Sequence, residues 1–422
     1  MSSFEDALTR LLARIDELGT ITDTPGTLTR TFLSPANLRA AARVGEWMQS
    51  AGMTVSQDPG GTIRGILPQS PIPNPPIPNP PIPLILASHL DTVIDAGKYD
   101  GALGVLIAIA ALEITGPLPF PVHILGFSDE EGVRFHLTYL GSRACVGRLT
   151  QPILDTLDAN GISVRSAIAA AAAPKKDTKK APETPPAQDT FHDPPGSTRG
   201  YIEVHIEQGR VLEEAAEPVS GVSAICGQSR LLLTLRGQAD HAGTTPMDLR
   251  KDALAGAAEC LLAAESLARQ EPPLVATVGK LDLHPGASNA IPGEARFTLD
   301  FRHPDDPARA RLLAGLLATF STIATTRGLD LSSELVQENN AVPCDSALRA
   351  QLLDAVEAIA GTRRELPSGA GHDAVMMATA MPVGMLFVRC RLGLSHHPDE
   401  YASPGDIATA LKVLVHFLQN TR

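Results

Sequence analysis

Histidine and acidic side chains recur in five short segments of the chain, each at the end of an apolar run or in the loop that follows one. In open α/β sheets the ligands and catalytic groups lie beyond the carboxyl ends of the strands, so these side chains are expected to meet at one sheet edge. Together they offer His, Asp and Glu, a mixed nitrogen and oxygen donor set that suits zinc or manganese and not a soft metal. The segments are residues 88–91, 98–101, 128–132, 201–209 and 393–400.

The first two segments place a histidine and two aspartates close together in the sequence. His89 and Asp91 would point to the same side of an extended segment, so Asp91 could hold the imidazole of His89 in the tautomer that a metal requires. A His-x-Asp pair can equally be structural. Asp100, eleven residues after His89, either caps the helix that follows Gly101 or returns to the same pocket.

The third and fourth segments add carboxylates and a second histidine. Asp129, Glu130 and Glu131 are adjacent at the end of a predicted strand, so they resist ionising together unless a cation neutralises them. An exposed acidic turn is the alternative. In the fourth segment, alternation puts Glu203 and His205 on one strand face, opposite the isoleucine and valine side chains.

Strand-like and helix-like runs alternate along most of the chain, and this order predicts an α/β sheet. From residue 221 the order becomes β-α-β-β-α, which predicts a compact two-layer α+β domain inserted into the first. Predicted strands are 62–67, 84–88, 121–128, 201–206, 231–236, 276–281, 295–302 and 384–390, and predicted helices are 1–19, 102–113, 251–269, 307–326, 347–360, 372–380 and 406–419. We therefore place a catalytic domain at residues 1–220 and 329–422, and the inserted domain at 221–328.

Two segments are foreign to a packed domain. Residues 71–83 repeat Pro-Ile-Pro-Asn-Pro, which favours polyproline II and excludes a helix or a central strand. We interpret them as an extended loop, with a docking ligand for a proline-binding module as the alternative. Residues 167–198 run from alanine-rich into proline- and lysine-rich sequence, which we interpret as a mobile, low-complexity insertion with solvated lysines rather than a nucleic-acid patch.

Composition limits the classes of function. The chain has 422 residues, enough for two or three domains, and 35 Lys and Arg against 47 Asp and Glu give a net charge of −12. This balance argues against binding of nucleic acid or of an anionic membrane, and no apolar run is long enough to span a bilayer. Five scattered cysteines indicate neither a disulfide framework nor a Cys-x-x-Cys metal site. Since early acidic residues also argue against a signal peptide, we expect a cytoplasmic protein.

The motifs together resemble one family closely. The ureido-hydrolysing branch of the dinuclear aminoacylase/carboxypeptidase family includes allantoate amidohydrolases, N-carbamoyl-L-amino-acid hydrolases, β-ureidopropionases and ureidoglycolate amidohydrolases. The resemblance covers nearly the whole chain outside the two insertions. It is carried by residues 88–93, 97–101, 127–135, 203–209 and 393–396, and stretches 91–101, 368–373 and 385–391 resemble the plant-type allantoate amidohydrolases within that branch.

This resemblance implies a fold and a metal centre. The fold would be a mixed-sheet α/β catalytic domain of a dinuclear metallohydrolase with an inserted two-layer α+β dimerisation, or lid, domain. Each subunit would hold two divalent metal ions, manganese favoured and zinc possible, with Glu130 as the general base beside them. The metal ligands would be Asp100 as the bridge, His89 and His205 for one ion, and Glu131 and His396 for the other, with Asp91, His372 and Asp373 supporting them. His396 is preferred to its neighbour His397 because it follows Ser395 in the family spacing.

The resemblance also implies that the inserted domain completes the site. His241 would donate to the tetrahedral oxyanion across a homodimer interface. Arg302 would bind a substrate carboxylate through its bidentate fork. The remaining polar lining would come from Gln208, Asn289, Gln228 and Arg230. For each of these residues a structural hydrogen bond is the alternative.

The implied activity is metal-dependent hydrolysis of a linear amidine or ureido C–N bond in a small carboxylate-bearing substrate. We expect allantoate to be converted to ureidoglycine with release of ammonia and carbon dioxide. N-Carbamoyl-L-amino-acid hydrolysis and ureidoglycolate hydrolysis are the alternatives within the branch. A degenerate homologue that acts as a binding protein is the non-enzyme alternative, and the presence of all five ligands and Glu130 speaks against it.

Overall fold

The computed structural model describes residues 2–70, 82–172 and 198–421. The chain divides into two compact units. Unit 1 comprises Met1–Val222, Cys344–Leu366 and His372–Arg422, and unit 2 comprises Ser223–Pro343 and Pro367–Gly371. The predictions made for the proline-rich loop at 71–81 and for residues 173–197 of the insertion lie outside the described residues.

The strands and helices are numbered in chain order. The strands are β1 Thr54–Gln57, β2 Ile63–Leu67, β3 Leu84–His89, β4 Val122–Phe127, β5 Gly200–Ile206, β6 Val219–Ile225, β7 Gly227–Arg236, β8 Asp240–His241, β9 Val275–Thr277, β10 Leu281–His284, β11 Ala290–Ile291, β12 Glu294–His303, β13 Asp330–Asn339, β14 Val342–Pro343, β15 Glu365–Ser368 and β16 Val383–Val388. The helices are α1 Phe4–Gly19, α2 Pro35–Ser50, α3 Ala102–Thr115, α4 Leu140–Cys145, α5 Gln151–Asp155, α6 Val164–Ala172, α7 Val211–Glu214, α8 Ala253–Gln270, α9 Asp306–Thr326, α10 Ser346–Ala360, α11 Ala374–Met377 and α12 Pro404–Asn420.

Unit 1 is built on a mixed sheet in the order β1-β2-β4-β3-β5-β16-β6. The central strands β4, β3, β5 and β16 are parallel to one another, whereas β2 pairs antiparallel with β1 and β4, and β6 pairs antiparallel with β16. Strands β3 and β5 are buried along their whole length, as expected for parallel strands covered on both faces. The carboxyl ends of the parallel strands therefore share one edge of the sheet.

Helix α3 lies at the centre of the unit 1 core. Residues 102–112 are all buried, and the helix contacts α1, α12 and the three strands β3, β4 and β5. A helix that is apolar on every side must be covered on every side, and this composition explains its central position. Helix α12 begins at the N-cap Ser403, whose side chain accepts the backbone N–H of Asp406, followed by Pro404 at the first helical position.

Unit 2 is a two-layer α+β structure. Its antiparallel sheet has the order β10-β12-β7-β13, and β9 also pairs with β12. Alternate residues of β12 are buried, and they pack with α8 and α9 in one hydrophobic cluster that includes Phe297, Phe301 and Phe320. The predicted boundary at residue 328 excludes β13, although β13 pairs with β7 over nearly its whole length. Because β13 is exposed at almost every position, it lacks the alternation that identifies a strand.

Three predicted elements differ from the structure. The strand expected at 276–281 is divided into β9 and β10, because residues 278–280, including Gly279, leave the ladder. The helix expected at 372–380 is the single turn α11, after which Thr379 and Ala380 donate to carbonyls three residues earlier. Residues 167–172, predicted as the start of the insertion, end helix α6, which their alanine content favours and the burial of Val164 anchors.

Candidate metal centre

Three side chains from separate segments of unit 1 meet at the carboxyl edge of the sheet. His89 is the last residue of β3, His205 is the penultimate residue of β5, and Asp100 lies two residues before the start of α3. The Nε2 atoms of His205 and His89 lie 3.0 and 3.5 Å from Oδ1 of Asp100, and 3.4 Å from each other. All three side chains are at least 95% buried. Each offers one ligand atom, and the three atoms lie within 4.8 Å of one another.

The donor set of this group fits a metal cation. Nδ1 of His205 lies 2.9 Å from the carbonyl oxygen of Ile206, which can only accept, so Nδ1 carries a proton and Nε2 is turned toward Asp100. Oδ1 of Asp100 is buried and accepts no hydrogen bond of acceptable geometry within the described residues. Ligand atoms that face one another at these distances require positive charge between them, from a shared proton or from a cation. A divalent cation would supply that charge to all three ligand atoms at once.

A second group shares Asp100. The ligand atoms of Asp100, Glu131 and His396 also lie within 4.8 Å of one another, and Nε2 of His396 is 3.3 Å from Oδ2 of Asp100 and 3.4 Å from Oε1 of Glu131. Contact with Asp100 raises the pKa of His396 to about 9. Burial, and then the charge of Asp100, raise the pKa of Glu131 to about 7. The shared carboxylate thus joins two groups that can each hold a cation.

The pKa values of the shared carboxylate and of His89 shift in opposite directions. Burial alone would raise the pKa of Asp100, but contacts with His205, His396 and His89 hold it well below its usual value. Burial disfavours the imidazolium form of His89, yet Asp100 and Asp91 outweigh it and raise the pKa of that histidine. The cluster therefore attracts positive charge, either as protons or as metal ions.

Glu130 lies beside both groups and is 92% buried. Burial raises its pKa well above the usual value, and the proximity of His89 only partly opposes this. Glu130 also forms a possible ligand group with His89 and Glu131. A buried carboxylate at this position can accept and release a proton close to the metal groups.

Asp91 holds the segment that carries the two glutamates. Its Oδ1 and Oδ2 accept the backbone N–H groups of Glu130 and Glu131 at 2.9 and 3.1 Å. Oδ1 also lies 3.4 Å from Nδ1 of His89. The backbone carbonyl oxygen of Asp91 lies closer to Nδ1 of His89, at 3.2 Å, so Asp91 orients this histidine through both groups and the two glutamates through its carboxylate.

Glycines make room for the centre. Gly101 has φ = +64°, and a Cβ atom on it would lie 2.4 Å from Nε2 of His89. A Cβ atom on Gly104 would lie 2.0 Å from the carbonyl oxygen of Val204 in β5. Helix α3 can therefore begin next to the histidines only because both residues lack a side chain.

His372 and Asp373, predicted as supporting residues, lie next to the centre in unit 1. The ring of His372 stacks edge-on against His205 with centroids 4.5 Å apart, and burial together with His205 lowers its pKa well below the usual value. Asp373 accepts a hydrogen bond from Ser142 at 2.6 Å. His372 also groups with Glu203 and His205, but Glu203 already accepts from Tyr201, Ser88 and Ala374.

Gln208, predicted to bind substrate, contacts the centre directly. Its Nε2 donates to Oδ2 of Asp100 at 3.2 Å and to Oγ of Ser395 at 3.0 Å. Gln208 and His396 both have positive φ, at 56° and 58°. Such strain at non-glycine residues is typical of functional sites.

Two residues of the centre were not predicted from the sequence. Glu400 is buried and accepts backbone N–H groups from the segment that carries Asp100, and Ser395 donates to Asp100 at 2.8 Å. Burial, and then the charge of Asp100, raise the pKa of Glu400 to about 7. The only signal in the sequence was their place in the same segment as His396.

In unit 2, the predicted residues form two groups. His241 is the last residue of β8 and Asn289 directly precedes β11, the strand paired with β8; Ala242 donates its N–H to the carbonyl of Asn289 at 3.0 Å. Arg302, Gln228 and Arg230 converge on Asp300: Nε and Nη2 of Arg302 lie 2.7 and 2.8 Å from its two oxygens, and Gln228 and Arg230 donate to Oδ2 at 2.8 and 3.0 Å. Although burial opposes it, Arg302 and Arg230 hold the pKa of Asp300 at about 2.

Arg302 borders a cavity of about 570 Å³ within unit 2. Its walls are mainly apolar and include Leu231, Val275, Leu299 and Val336. Nη1 of Arg302 donates to the carbonyl of Gly369 at 2.6 Å, so three nitrogens of the guanidinium are oriented by protein oxygens.

Comparison with known proteins identifies the family. Residues 85–420 match the model of peptidase family M20/M25/M40. The chain belongs to this family. It is 38% identical to the allantoate deiminase of Arabidopsis thaliana, over 97% of this chain and 81% of that protein. It is 36% identical to the N-carbamoyl-L-amino acid amidohydrolase of Geobacillus stearothermophilus, over 96% of this chain and 97% of that protein. A solved amidase of the hydantoinase/carbamoylase family from Burkholderia multivorans superposes with a TM-score of 0.87 at 30% identity, covering 98% of this chain and 97% of that one.

Family membership confirms several predictions. The chain is an enzyme of the amidohydrolase branch of this family, and its fold is the mixed α/β metallohydrolase fold with an inserted domain. The described residues also offer His, Asp and Glu groups for a divalent metal ion, as predicted. Among the described helices, none combines the length and the apolar character that crossing a membrane requires.

Proposed function

We propose that this enzyme hydrolyses a C–N bond of a linear ureido substrate with two divalent metal ions, and that the substrate is allantoate. The observation that carries the metal part is the shared carboxylate of Asp100, which joins the group of His89 and His205 to the group of Glu131 and His396. The substrate part is supported by the identity to allantoate deiminases over nearly the whole chain.

The chemistry follows from the residues around the centre. Bound divalent ions, manganese favoured and zinc possible, would activate a water molecule and polarise the scissile carbonyl. Glu130 takes the proton of the attacking water and passes it to the departing nitrogen, for which its burial and position suit it. Asp91 keeps Glu130 in place through the backbone N–H contact.

Unit 2 supplies the groups for the substrate in this proposal. Arg302 has its guanidinium oriented by Asp300 and Gly369, and it would bind the substrate carboxylate. Gly243 donates its N–H to Nδ1 of His241 at 3.1 Å, so a neutral His241 carries its proton on Nε2 and can donate to the oxyanion. Asn289, Gln228 and Arg230 would provide further hydrogen bonds to the ureido groups, and Gln208 of unit 1 is proposed for the same role.

The assembly and location are also part of the proposal. We infer a homodimer in which His241 acts across the interface. Strand β13 supports this inference, because within the described residues only β7 pairs with it, and Leu335 and Val336 on it are 53% and 63% exposed. We further infer a cytoplasmic enzyme that acts on a small solute and binds neither nucleic acid nor membrane.

A panel assay tests the substrate and the metal requirement. Ammonia release from allantoate, N-carbamoyl-L-amino acids, N-carbamoyl-β-alanine and ureidoglycolate would be followed before chelation, after chelation, and after addition of manganese, zinc or cobalt. We expect allantoate to be turned over fastest and only with metal. If a carbamoyl amino acid is turned over faster than allantoate, the substrate assignment is wrong. Full activity after thorough chelation would refute the metal-dependent mechanism.

A further inference from the structure

Two buried carboxylates in unit 1 each accept hydrogen bonds from two consecutive backbone N–H groups. Asp91 accepts the consecutive backbone N–H groups of Glu130 and Glu131. Glu400 accepts the consecutive N–H groups of Tyr99 and Asp100 on its Oε1, at 2.8 and 3.0 Å. Glu400 is 96% buried and comes from a segment 300 residues away in the sequence. In each case a carboxylate fixes the backbone of a segment that carries a proposed metal ligand.

Ser395 extends this contact to the side chain of Asp100. Its hydroxyl donates to Oδ2 of Asp100 at 2.8 Å and lies 3.2 Å from Oε2 of Glu400. Ser395 directly precedes His396. Glu400 and Ser395 therefore join the segment of the shared carboxylate to the segment of His396, and fix both the backbone and one oxygen of Asp100.

The chain leaves space for Glu400 at one glycine. A Cβ atom on Gly97 would lie 2.3 Å from Cβ of Glu400 and 2.5 Å from its Oε1. Gly97 has no positive φ, so the backbone there can accept alanine, and the three atoms nearest to an added Cβ all belong to the side chain of Glu400. Residue 97 and residue 400 thus fit together only while residue 97 lacks a side chain.

We propose that Glu400 is a positioning residue of the metal centre: with Ser395 it holds Asp100 where one carboxylate can serve both metal groups. The inference rests on the proposed metal-dependent function. Residues that orient metal ligands typically change metal affinity by roughly 10–100-fold when they are removed. Because Glu400 positions Asp100, and Asp100 is a proposed metal ligand, removal of the Glu400 side chain should lower the affinity of the protein for the metal.

Metal binding to the purified full-length protein tests the proposal without a substrate. The metal-free protein would be titrated with Mn²⁺ alone and with Zn²⁺ alone, and bound metal would be measured after equilibrium dialysis. We expect Glu400→Ala to weaken Mn²⁺ binding by roughly 10–100-fold. Glu400→Gln should bind Mn²⁺ within about threefold of the original protein, because its Oε1 still accepts both N–H groups and its amide can donate to Ser395. Asp399→Asn, on an exposed neighbour, is the matched control and should bind as the original does.

Gly97→Ala keeps the proposal falsifiable if Glu400→Ala does not fold. This change leaves Glu400 intact but displaces it, so Mn²⁺ binding should weaken as in Glu400→Ala. Unchanged Mn²⁺ affinity in a folded Glu400→Ala or Gly97→Ala protein would overturn the proposal. Absence of Mn²⁺ and Zn²⁺ binding by the original protein would refute the proposed function itself, an outcome distinct from a loss confined to the variants.

Discussion

Oδ1 of Asp91 accepts the backbone N–H of Glu130 at 2.9 Å, and this oxygen also lies 3.4 Å from Nδ1 of His89. One side chain thus links the proposed general base, in the segment after β4, to a proposed metal ligand at the end of β3. Since the adjacent N–H of Glu131 binds the other oxygen, the position of two acidic residues depends on a single carboxylate.

Removal of Asp91 should therefore damage both metal binding and turnover. We expect Asp91→Ala to lose roughly 10–100-fold in metal affinity, and Asp91→Asn to lose less, because its amide keeps one oxygen that can accept an N–H. Bound manganese and turnover number would be measured for both variants. An alanine variant with the original metal affinity and turnover would show that Asp91 does not orient the centre.

Glu130 can be separated from the metal ligands by one substitution. Glu130→Gln keeps the shape of the side chain but cannot accept the proton of water, so we expect turnover to fall by about 10²–10⁴-fold while bound metal is unchanged. Glu131→Gln should instead lose metal. Turnover and metal content measured on the same samples distinguish the two roles, and equal metal loss in both variants would contradict the assignment of Glu130 as the base.

Arg302 should control recognition of the substrate carboxylate. Its guanidinium is oriented by Asp300 and by the carbonyl of Gly369, and a lysine cannot reproduce the planar fork. We expect Arg302→Lys to raise KM for allantoate by roughly 10²-fold, equivalent to about 3 kcal/mol of lost binding. Arg236→Lys is the matched control, since Arg236 forms an exposed ion pair with Glu294 in the same unit. A KM that does not change in Arg302→Lys would remove this residue from the substrate site.

His123 should make the stability of the fold depend on pH. Burial, and then the nearby Arg64, lower its pKa from the usual 6.5 to about 3. Between these two pKa values the unfolded state accepts a proton on His123 that the folded state resists. The contribution of His123 to the free energy of unfolding is therefore fully present above pH 6.5 and is lost as the pH falls toward 3. At pH 5 the free energy of unfolding should be lower by about 2 kcal/mol because of this one residue.

The variant His123→Gln tests this dependence. Its amide oxygen can still accept from Arg64, but the side chain does not titrate, so the midpoint of urea unfolding should change less between pH 7 and pH 5 than in the original protein. If the midpoint of urea unfolding shifts equally with pH in both proteins, the acid sensitivity belongs to groups other than His123.

The sequence contained enough information to place the centre because its ligands are local to strand ends. His89 and His205 lie on strands whose apolar pattern is clear, and Glu131 follows another such strand. Parallel strands bring their carboxyl ends to one edge, so the proximity of these residues follows from local patterns and one general rule. The roles of the individual residues stay predictions until they are tested.

Elements without a periodic pattern were not predictable in the same way. Strand β13 is exposed on both faces, and the contacts of Glu400 join residues 300 positions apart, which no local pattern encodes. Helix α2 is different, because Ser34 and Pro35 supply the same N-cap and first-position signals that mark the start of α12. That helix was missed although its signal was present.

The direction of the parallel strands has a practical consequence for remodelling the chain. The backbone enters β3 through residues 82–83 and β5 through residues 198–199, at the ends opposite to His89 and His205. A strand of six or seven residues separates these entry points from the histidines by about 20 Å. We therefore expect sequence that is inserted before residue 82 or residue 198 to leave the spacing of the ligands unchanged, which would suit the grafting of a reporter peptide or an affinity tag.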